Sequence, residues 1–387
     1  MRYLSAGESH GPSLVGVIEG FPAGVALDPA IVDEDLGRRL EGHGRGFRAL
    51  RIEKDTVEFL AGLWEGKTLG SPIAMVVENT DHKVRRGRPI RNWRAPRPGH
   101  ADFGGRIRYG YAGYAEVAER ASARSTAIMT AVGACARQLL RRFGIEIFSH
   151  VVAVGDVGAE AADCDRDSLL AIRGGTPLRC LDGVAEPKMI AAVDAAGEAG
   201  TTLGGVCEVV AFGVPAGLGT YAHPDRRLDA ALAADLMAVP SVKAVAIGDA
   251  LAAARLRGDE AHDEILPDPG GLSGIRRETN RAGGLEGGVT NGMPLRLSCH
   301  AKPISTQREG LRSVDVETGE AVVADYVRSD ICVVPAVGVV AEAVVCWRLA
   351  VELVRTLGEV PLAEMLRRAA ETPGFSITKD DNLRDGE

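Results

Sequence analysis

Five short stretches of the chain carry side chains able to do chemistry. GESHGP, residues 7–12, sets His10 between Ser9 and a Gly-Pro turn, and PRPGHAD, residues 96–102, sets His100 just after Pro98-Gly99. Taken singly, each reads first as a turn histidine. His100 and Asp102 suggest a metal pair, but no third ligand is spaced to complete it, so no metal is expected. ERASARSTA, residues 119–127, puts Arg120 and Arg124 four apart, a spacing that shares one helix face, with Ser122, Ser125 and Thr126 beside them. Burying such groups in an otherwise apolar helix is costly unless an anion or a polar ligand meets them. HAKPIST (300–306) and RSDICVVPAVGVVAEA (328–343) complete the set, with Arg328 and Asp330 just ahead of an apolar helix.

Charge is distributed unevenly. The chain has a formal net charge of −8, yet residues 81–108 hold nine Lys/Arg against two Asp/Glu. A second basic cluster, RRLEGHGRGFRALR, spans residues 38–51. The charge is almost entirely Arg, which contacts carboxylate and phosphate bidentately, and it is interleaved with Gly and Pro, which shape backbone. Two solvated loops are the plain reading, and a pocket for a polyanion is the sharper one. Trp93 and Tyr109 among the arginines also suit a single nucleic-acid strand. The acidic remainder of the chain counts against nucleic acid and against an anionic membrane.

The elements that must position these residues follow from periodicity. Alternation through SLVGVIEG predicts a strand from Leu14, and Asp28-Pro29 predicts a helix start with Ile31, Leu36 and Leu40 on its apolar face. Strands are expected near 56–63, 72–77, 145–154, 205–214 and 242–247, and helices near 187–198 and 226–237. Two longer helices are expected over 114–143, rich in Ala, and over 339–356. Small residues let such helices pack closely. Strand and helix segments recur in similar order in the two halves, without a residue-level repeat.

At 387 residues, 45% hydrophobic and 25% charged, the chain has the balance of a globular protein with a sizeable core. No apolar run is long enough for a membrane span, and MRYLSAGESHGP does not read as a signal peptide. Seven dispersed cysteines without a C-x-x-C pair read as buried reduced thiols of a cytoplasmic protein, not as a disulfide framework or a zinc site.

Taken in order, GESHGP, GHGRG with its following arginines, RPGHAD, RASARSTA, KPIST and RSDICVVPAVGVVAEA resemble the signature blocks of the chorismate synthase family, over essentially the whole chain. VPAGLG at 214–219 and GDEAHDEI at 258–265 also fit. The resemblance implies an α+β fold: a βαβ sandwich with long central helices between antiparallel sheets, an internal pseudo-twofold, and one domain over residues 1–387. It implies 1,4-anti elimination of phosphate from 5-enolpyruvylshikimate-3-phosphate, giving chorismate. It implies reduced FMN as cofactor, NADPH only in a member that reduces its own flavin, and a cytoplasmic homotetramer. By the same resemblance His10 is the acid near the leaving phosphate, His100 the histidine by the flavin ring, and Asp330 the carboxylate near flavin N5. Arg39, Arg45, Arg48, Arg97 and Arg124 match substrate contacts, with Arg39 and Arg45 also linked to NADPH. Arg120, Ala121, Ser122, Gly287, Lys302, Pro303, Ile304, Ser305, Thr306 and Arg328 match flavin contacts. Pro240-Ser241 stand where the family often has Asn-Ala or Gln-Ala, so a flavin contact there runs through backbone or Ser241. GDALAAARLRGDE likewise replaces a usual GDGF, and Asp259 stands where Ser is common. A polyanion-binding protein without catalysis is the alternative, and a related lyase without flavin is a third reading.

Overall fold

Alternate burial of Leu14, Gly16 and Ile18 makes β2 (Ser13–Glu19) a one-sided strand, which pairs with β1 (Arg2–Ala6). After α1 (Pro29–Leu40), β3 (Val57–Ala61) and β4 (Ile73–Glu78) complete an antiparallel sheet of order β1-β2-β4-β3. Helices α2 (Asp102–Tyr109), α3 (Ala115–Ala121) and α4 (Thr126–Arg141) follow. The chain then repeats the plan: β5 (Glu146–Val154), α5 (Ala185–Glu198), β6 (Gly205–Phe212), α6 (Leu228–Met237), β7 (Val242–Ile247), β8 (Leu295–Ala301), α7 (Val334–Leu357) and α8 (Leu362–Glu371). Its second antiparallel sheet runs β5-β6-β8-β7, with the two-residue strand Val157–Gly158 beyond β5. The computed structural model describes residues 1–160, 164–271, 274–327 and 329–375.

Both halves therefore place their four strands in the same order within the sheet, with a helix between the second and third strands and a long helix after the fourth, and the second half adds α5 between its first two strands. The expected pseudo-twofold lies in topology and not in residue identity. Between the sheets, α4 packs on β2 and β4, α7 packs on β5 and β6, and α4 and α7 pack on each other, giving the expected layering of central helices between antiparallel sheets. Small residues permit that approach: a β carbon on Gly133 would fall 2.3 Å from the Ala343 carbonyl oxygen.

Three expectations need correction. The helix expected over 114–143 is broken. Ser122 is extended at φ −66°, ψ 144°, and its hydroxyl accepts the Arg124 N–H, so α3 ends and a 3-10 turn, Ala123–Ser125, leads into α4. A serine that bonds nearby backbone competes with helix continuation, and Arg120 and Arg124 do not share one helix face. Helix α7 begins at Val334, five residues before the expected 339, because Pro335 fits the first turn, where its missing N–H costs nothing. Asp28 does cap α1, accepting the Ala30 N–H at 2.9 Å. The buried face of α1, however, is Val32, Asp35, Leu36, Arg38 and Arg39, with Ile31 and Leu40 only partly covered.

The charged part of that face enters the core. Arg38 pairs with Asp35 at 2.8 Å and with Glu342 of α7 at 2.7 Å, and Arg137 of α4 pairs with Asp35 at 2.9 Å and Glu342 at 2.7 Å. Arg173 adds a contact to Asp35 at 2.9 Å, and the Ser149 hydroxyl donates to Glu342 at 2.6 Å.

Candidate functional site

Two constellations of polar side chains form, one among loops of the first half and one between loops of both halves. The first gathers around His10 on the β1–β2 turn. Glu119 near the end of α3 takes the His10 backbone N–H at 2.8 Å, and its other oxygen lies 2.9 Å from ring Nδ1. That double contact fixes the imidazole and turns Nε2 toward Arg48, whose Nη1 is 3.4 Å away. Arg48 also donates to the Ser9 carbonyl at 2.7 Å and pairs with Glu53 at 2.7 Å. The ring stays 19% exposed, so a ligand can reach it. His82 lies with Nδ1 2.9 Å from the His10 carbonyl oxygen.

Arg39 and Arg124 flank this group. Both reach Asp55, each at 2.6 Å, and both also contact Glu53; Arg124 donates from Nε to the Asn79 side chain at 2.6 Å. Burial would raise the Asp55 carboxyl, but Arg39 and Arg124 outweigh it and hold the group below the ordinary carboxylate value. Burial likewise favours a higher value at Glu119, and the hydrogen bonds from His10 bring it down instead.

The second constellation centres on Asp102 at the start of α2. Its carboxylate accepts from Arg97 Nε at 2.8 Å and Nη2 at 2.9 Å, from Trp93 Nε1 at 3.2 Å, and lies 2.6 Å from His100 Nδ1. Arg97 also stacks over the Trp93 ring at 4.7 Å. Burial opposes the Asp102 charge, yet the bonds from Arg97 and His100 keep its carboxyl well below the usual range. Arg97 reaches across to Thr306 at 3.3 Å, tying this group to the KPIST stretch that follows β8. Within that stretch Lys302 donates to Ser305 at 3.1 Å, Thr202 donates to the Ile304 carbonyl at 2.8 Å, and Ser329 donates to the Thr306 carbonyl at 2.6 Å. The Lys302 backbone N–H donates to the carbonyl of Ser241, which stands at φ 78° after Pro240.

Asp330 joins the halves. It accepts from Arg45 at 2.5 Å and from the Gly46 N–H at 2.5 Å. Burial lowers the Arg45 value, with Asp330 opposing it. A β carbon on Gly46 would lie 3.0 Å from the Asp330 carboxylate and 2.7 Å from the Ser329 carbonyl, so this close approach requires glycine.

The expected residues thus fall into place unevenly. His10, Arg39, Arg48 and Arg124 meet in the first group; Arg97, His100, Lys302, Pro303, Ile304, Ser305 and Thr306 meet in the second, with Ser241 attached; Arg45 pairs with Asp330. Ser122 reaches the first group through Ser9, 3.1 Å between hydroxyls. Arg120 and Ala121 close α3, and the exposed Arg120 binds the Ser5 hydroxyl at 2.8 Å and the Gly7 carbonyl at 3.2 Å. Gly287 turns the hairpin beside α6 at φ 61°, apart from either group among the described hydrogen bonds. Arg328 lies outside the described residues. Glu53, Asp55, Asn79 and Glu119 were not anticipated, although EKD at 53–55 and the glutamate opening ERASARSTA stand in plain view. Six cysteines are buried as expected, but Cys164 is only partly so; its sulfur lies 3.4 Å from His150 Nε2 and 3.9 Å from Glu208, which already contacts that histidine at 3.0 Å. Among the described residues no helix is long and apolar enough to cross a membrane.

The chain is similar along most of its length to known proteins. Residues 1–354 match the family model described as chorismate synthase. A chorismate synthase from Geobacillus kaustophilus is 46% identical over 371 residues, covering 93% of this chain and 95% of the relative. One from Symbiobacterium thermophilum is 47% identical over 382 residues, covering 95% and 97%. A crystal structure of a chorismate synthase superposes with a TM-score of 0.78 at 35% identity, covering 96% of each chain.

Proposed function

This chain belongs to the chorismate synthase family, and from that premise we propose that its two constellations carry out the 1,4-anti elimination of phosphate from 5-enolpyruvylshikimate-3-phosphate. The protein is a carbon–oxygen lyase of aromatic amino-acid biosynthesis acting on a small-molecule substrate; a non-catalytic polyanion binder is not favoured. The observation that carries the reading is His10 clamped between Glu119 and Arg48, with Arg39 and Arg124 alongside. Protonated His10 donates to the phosphate leaving C3, Glu119 steadies the imidazolium, and Arg48 and Arg124 attract the substrate's anionic groups.

The KPIST stretch of the second constellation, with residues 120–122 at the end of α3 and with Gly287, is the set read as holding a flavin. Lys302 and Arg120 are cations whose described partners are hydroxyls and carbonyls, not carboxylates, so both are available to an anion. Lys302, Pro303, Ile304, Ser305, Thr306, Ser122, Ala121, Ser241, Gly287 and Arg328 are the residues that would hold FMN. The chemistry that reduced FMN would supply there, if bound, is electron density for loss of the phosphate and an acceptor for the C6 hydrogen, with no net redox change. His100, oriented by Asp102, would offer a donor to the flavin, and Asp330 would relay a proton. Arg39 and Arg45 are the positions for NADPH if the protein reduces its own flavin. The whole chain acts as one unit in a cytoplasmic homotetramer without nucleic acid or membrane; the exposed Leu4, Leu60 and Trp64 of the first sheet and its adjoining hairpin support self-association. The test is chorismate formation under anaerobic conditions with photoreduced FMN, with and without NADPH. Turnover without any flavin would overturn the cofactor assignment.

A further inference from the structure

A second polar hollow lies outside both constellations. It encloses about 420 Å³ between the turn at Glu41–His43 and the loop from Arg173 to Arg179. Arg179 is 3% exposed, and its described hydrogen bond is a donation from Nη2 to the Arg38 carbonyl at 3.0 Å. Among the described residues no carboxylate pairs with it, and its Nη1 has no partner. Two more buried atoms of the same lining lack partners: Arg173 Nε and Thr176 Oγ1. Three orphaned donors on one short loop are unusual, because buried polar groups are nearly always satisfied.

Charge points the same way. Arg38 and Arg137 share Asp35 and Glu342, Arg173 takes Asp35 and Glu34, and His43 takes Asp194, so Arg179 adds a cation whose neighbouring acids are already paired, Glu41 at the rim excepted. Burial and then Arg38 push Arg179 down to about 10, the response of a cation lacking compensation. Glu41 at the rim is exposed and offsets only part of this. Arg179 also sits at φ 56°, a left-handed backbone that a residue with a β carbon adopts at a cost, and such strain collects at ligand sites.

We propose that this hollow binds a small oxyanion, taken by the Arg179 guanidinium and the Thr176 hydroxyl, at a site distinct from the elimination site. A carboxylate or phosphate group fits the paired donors of Arg, and the hollow has room for the small organic body that would carry one. Free phosphate and a carboxylate metabolite share this chemistry. The bound anion would brace the turn that leads from Arg39 to Arg45.

Melting temperature of the full chain, titrated with inorganic phosphate and separately with citrate, tests this on the wild type, Arg179→Met and Arg48→Ala. At least one anion should raise the melting temperature of the wild type and of Arg48→Ala, and the shift should vanish in Arg179→Met. Thr176→Val should weaken the apparent affinity about tenfold, as loss of a hydrogen bond to a charged group does. If Arg179→Met does not fold, Arg179→Lys and Thr176→Val carry the test. A phosphate-only response assigns free phosphate, and a citrate-only response assigns a carboxylate. No shift with either anion in the wild type, or equal shifts in the wild type and the Arg179 and Thr176 variants, overturns the site.

Discussion

Arg38 and Arg39 are neighbours on α1, yet they enter two opposite kinds of charged cluster. Arg38 turns into the crossing of α1, α4 and α7, where Asp35, Arg137 and Glu342 are each at most 2% exposed on their side chains. Arg39 turns toward Asp55, Glu53 and, beyond them, the partly exposed His10. The first cluster is sealed beneath helices, and its bonds hold three helices in register. The second lies under loops and keeps one histidine reachable. Buried charge is therefore not by itself a mark of chemistry; an opening beside a proton-bearing group is what separates the two.

Breaking each cluster should expose that difference. Glu342→Gln leaves the buried Arg38 and Arg137 with Asp35 as their remaining carboxylate, which Arg173 also contacts, and removing a partner from such a network costs about 3–5 kcal/mol. Denaturant unfolding should show that loss, while the folded fraction keeps its turnover. His10→Ala should do the reverse: kcat falls by roughly 10²–10⁴, as for a lost general acid, with melting temperature and FMN affinity nearly unchanged. A large melting loss with near-normal kcat would return His10 to a turn residue.

Asp330 sharpens the comparison because it has both characters. Its bonds to Arg45 and the Gly46 N–H shape the turn, and its carboxylate serves as a proton relay in the proposed chemistry. Asp330→Asn should bind substrate and FMN within a few-fold of normal but slow kcat about tenfold or more, the scale of a lost charge-assisted contact. Matched losses of melting temperature and activity would leave Asp330 a positioning residue only.

The smallest effect concerns acid stability. Asp55 and Asp102 are held below ordinary carboxylate values in the folded protein. Their stabilisation is complete above the unfolded value of about 4 and is lost as pH falls through the lower folded values. Asp102→Asn should flatten the fall in melting temperature between about pH 5 and pH 2. An unchanged acid limb would mean that Asp102 contributes no linkage.

Much of the site was legible because turn and block chemistry is local. His10 in GESHGP and His100 in RPGHAD read singly as turn histidines, and the ordered set of blocks, KPIST among them, is what marked them out, while strand alternation located β2, β4 and β7 to within a residue or two. The carboxylates were harder to see. Glu53, Asp55 and Glu119 carry no spacing signal, since what makes them part of the site is which arginine or histidine folds against them. His10 and Glu119 are 109 residues apart, and Arg45 and Asp330 are 285 apart.

By itself, the sequence determined the periods of its strands and helices, the Asp28 cap and the stock of arginines, because these depend on neighbours a few residues away. Tertiary structure decided the break at Ser122, the matching strand order of the two halves, and the division of Arg38 from Arg39. Adjacent residues on a helix point about 100° apart, and only the packing of α1 against α4 and α7 determines which direction is core and which is site.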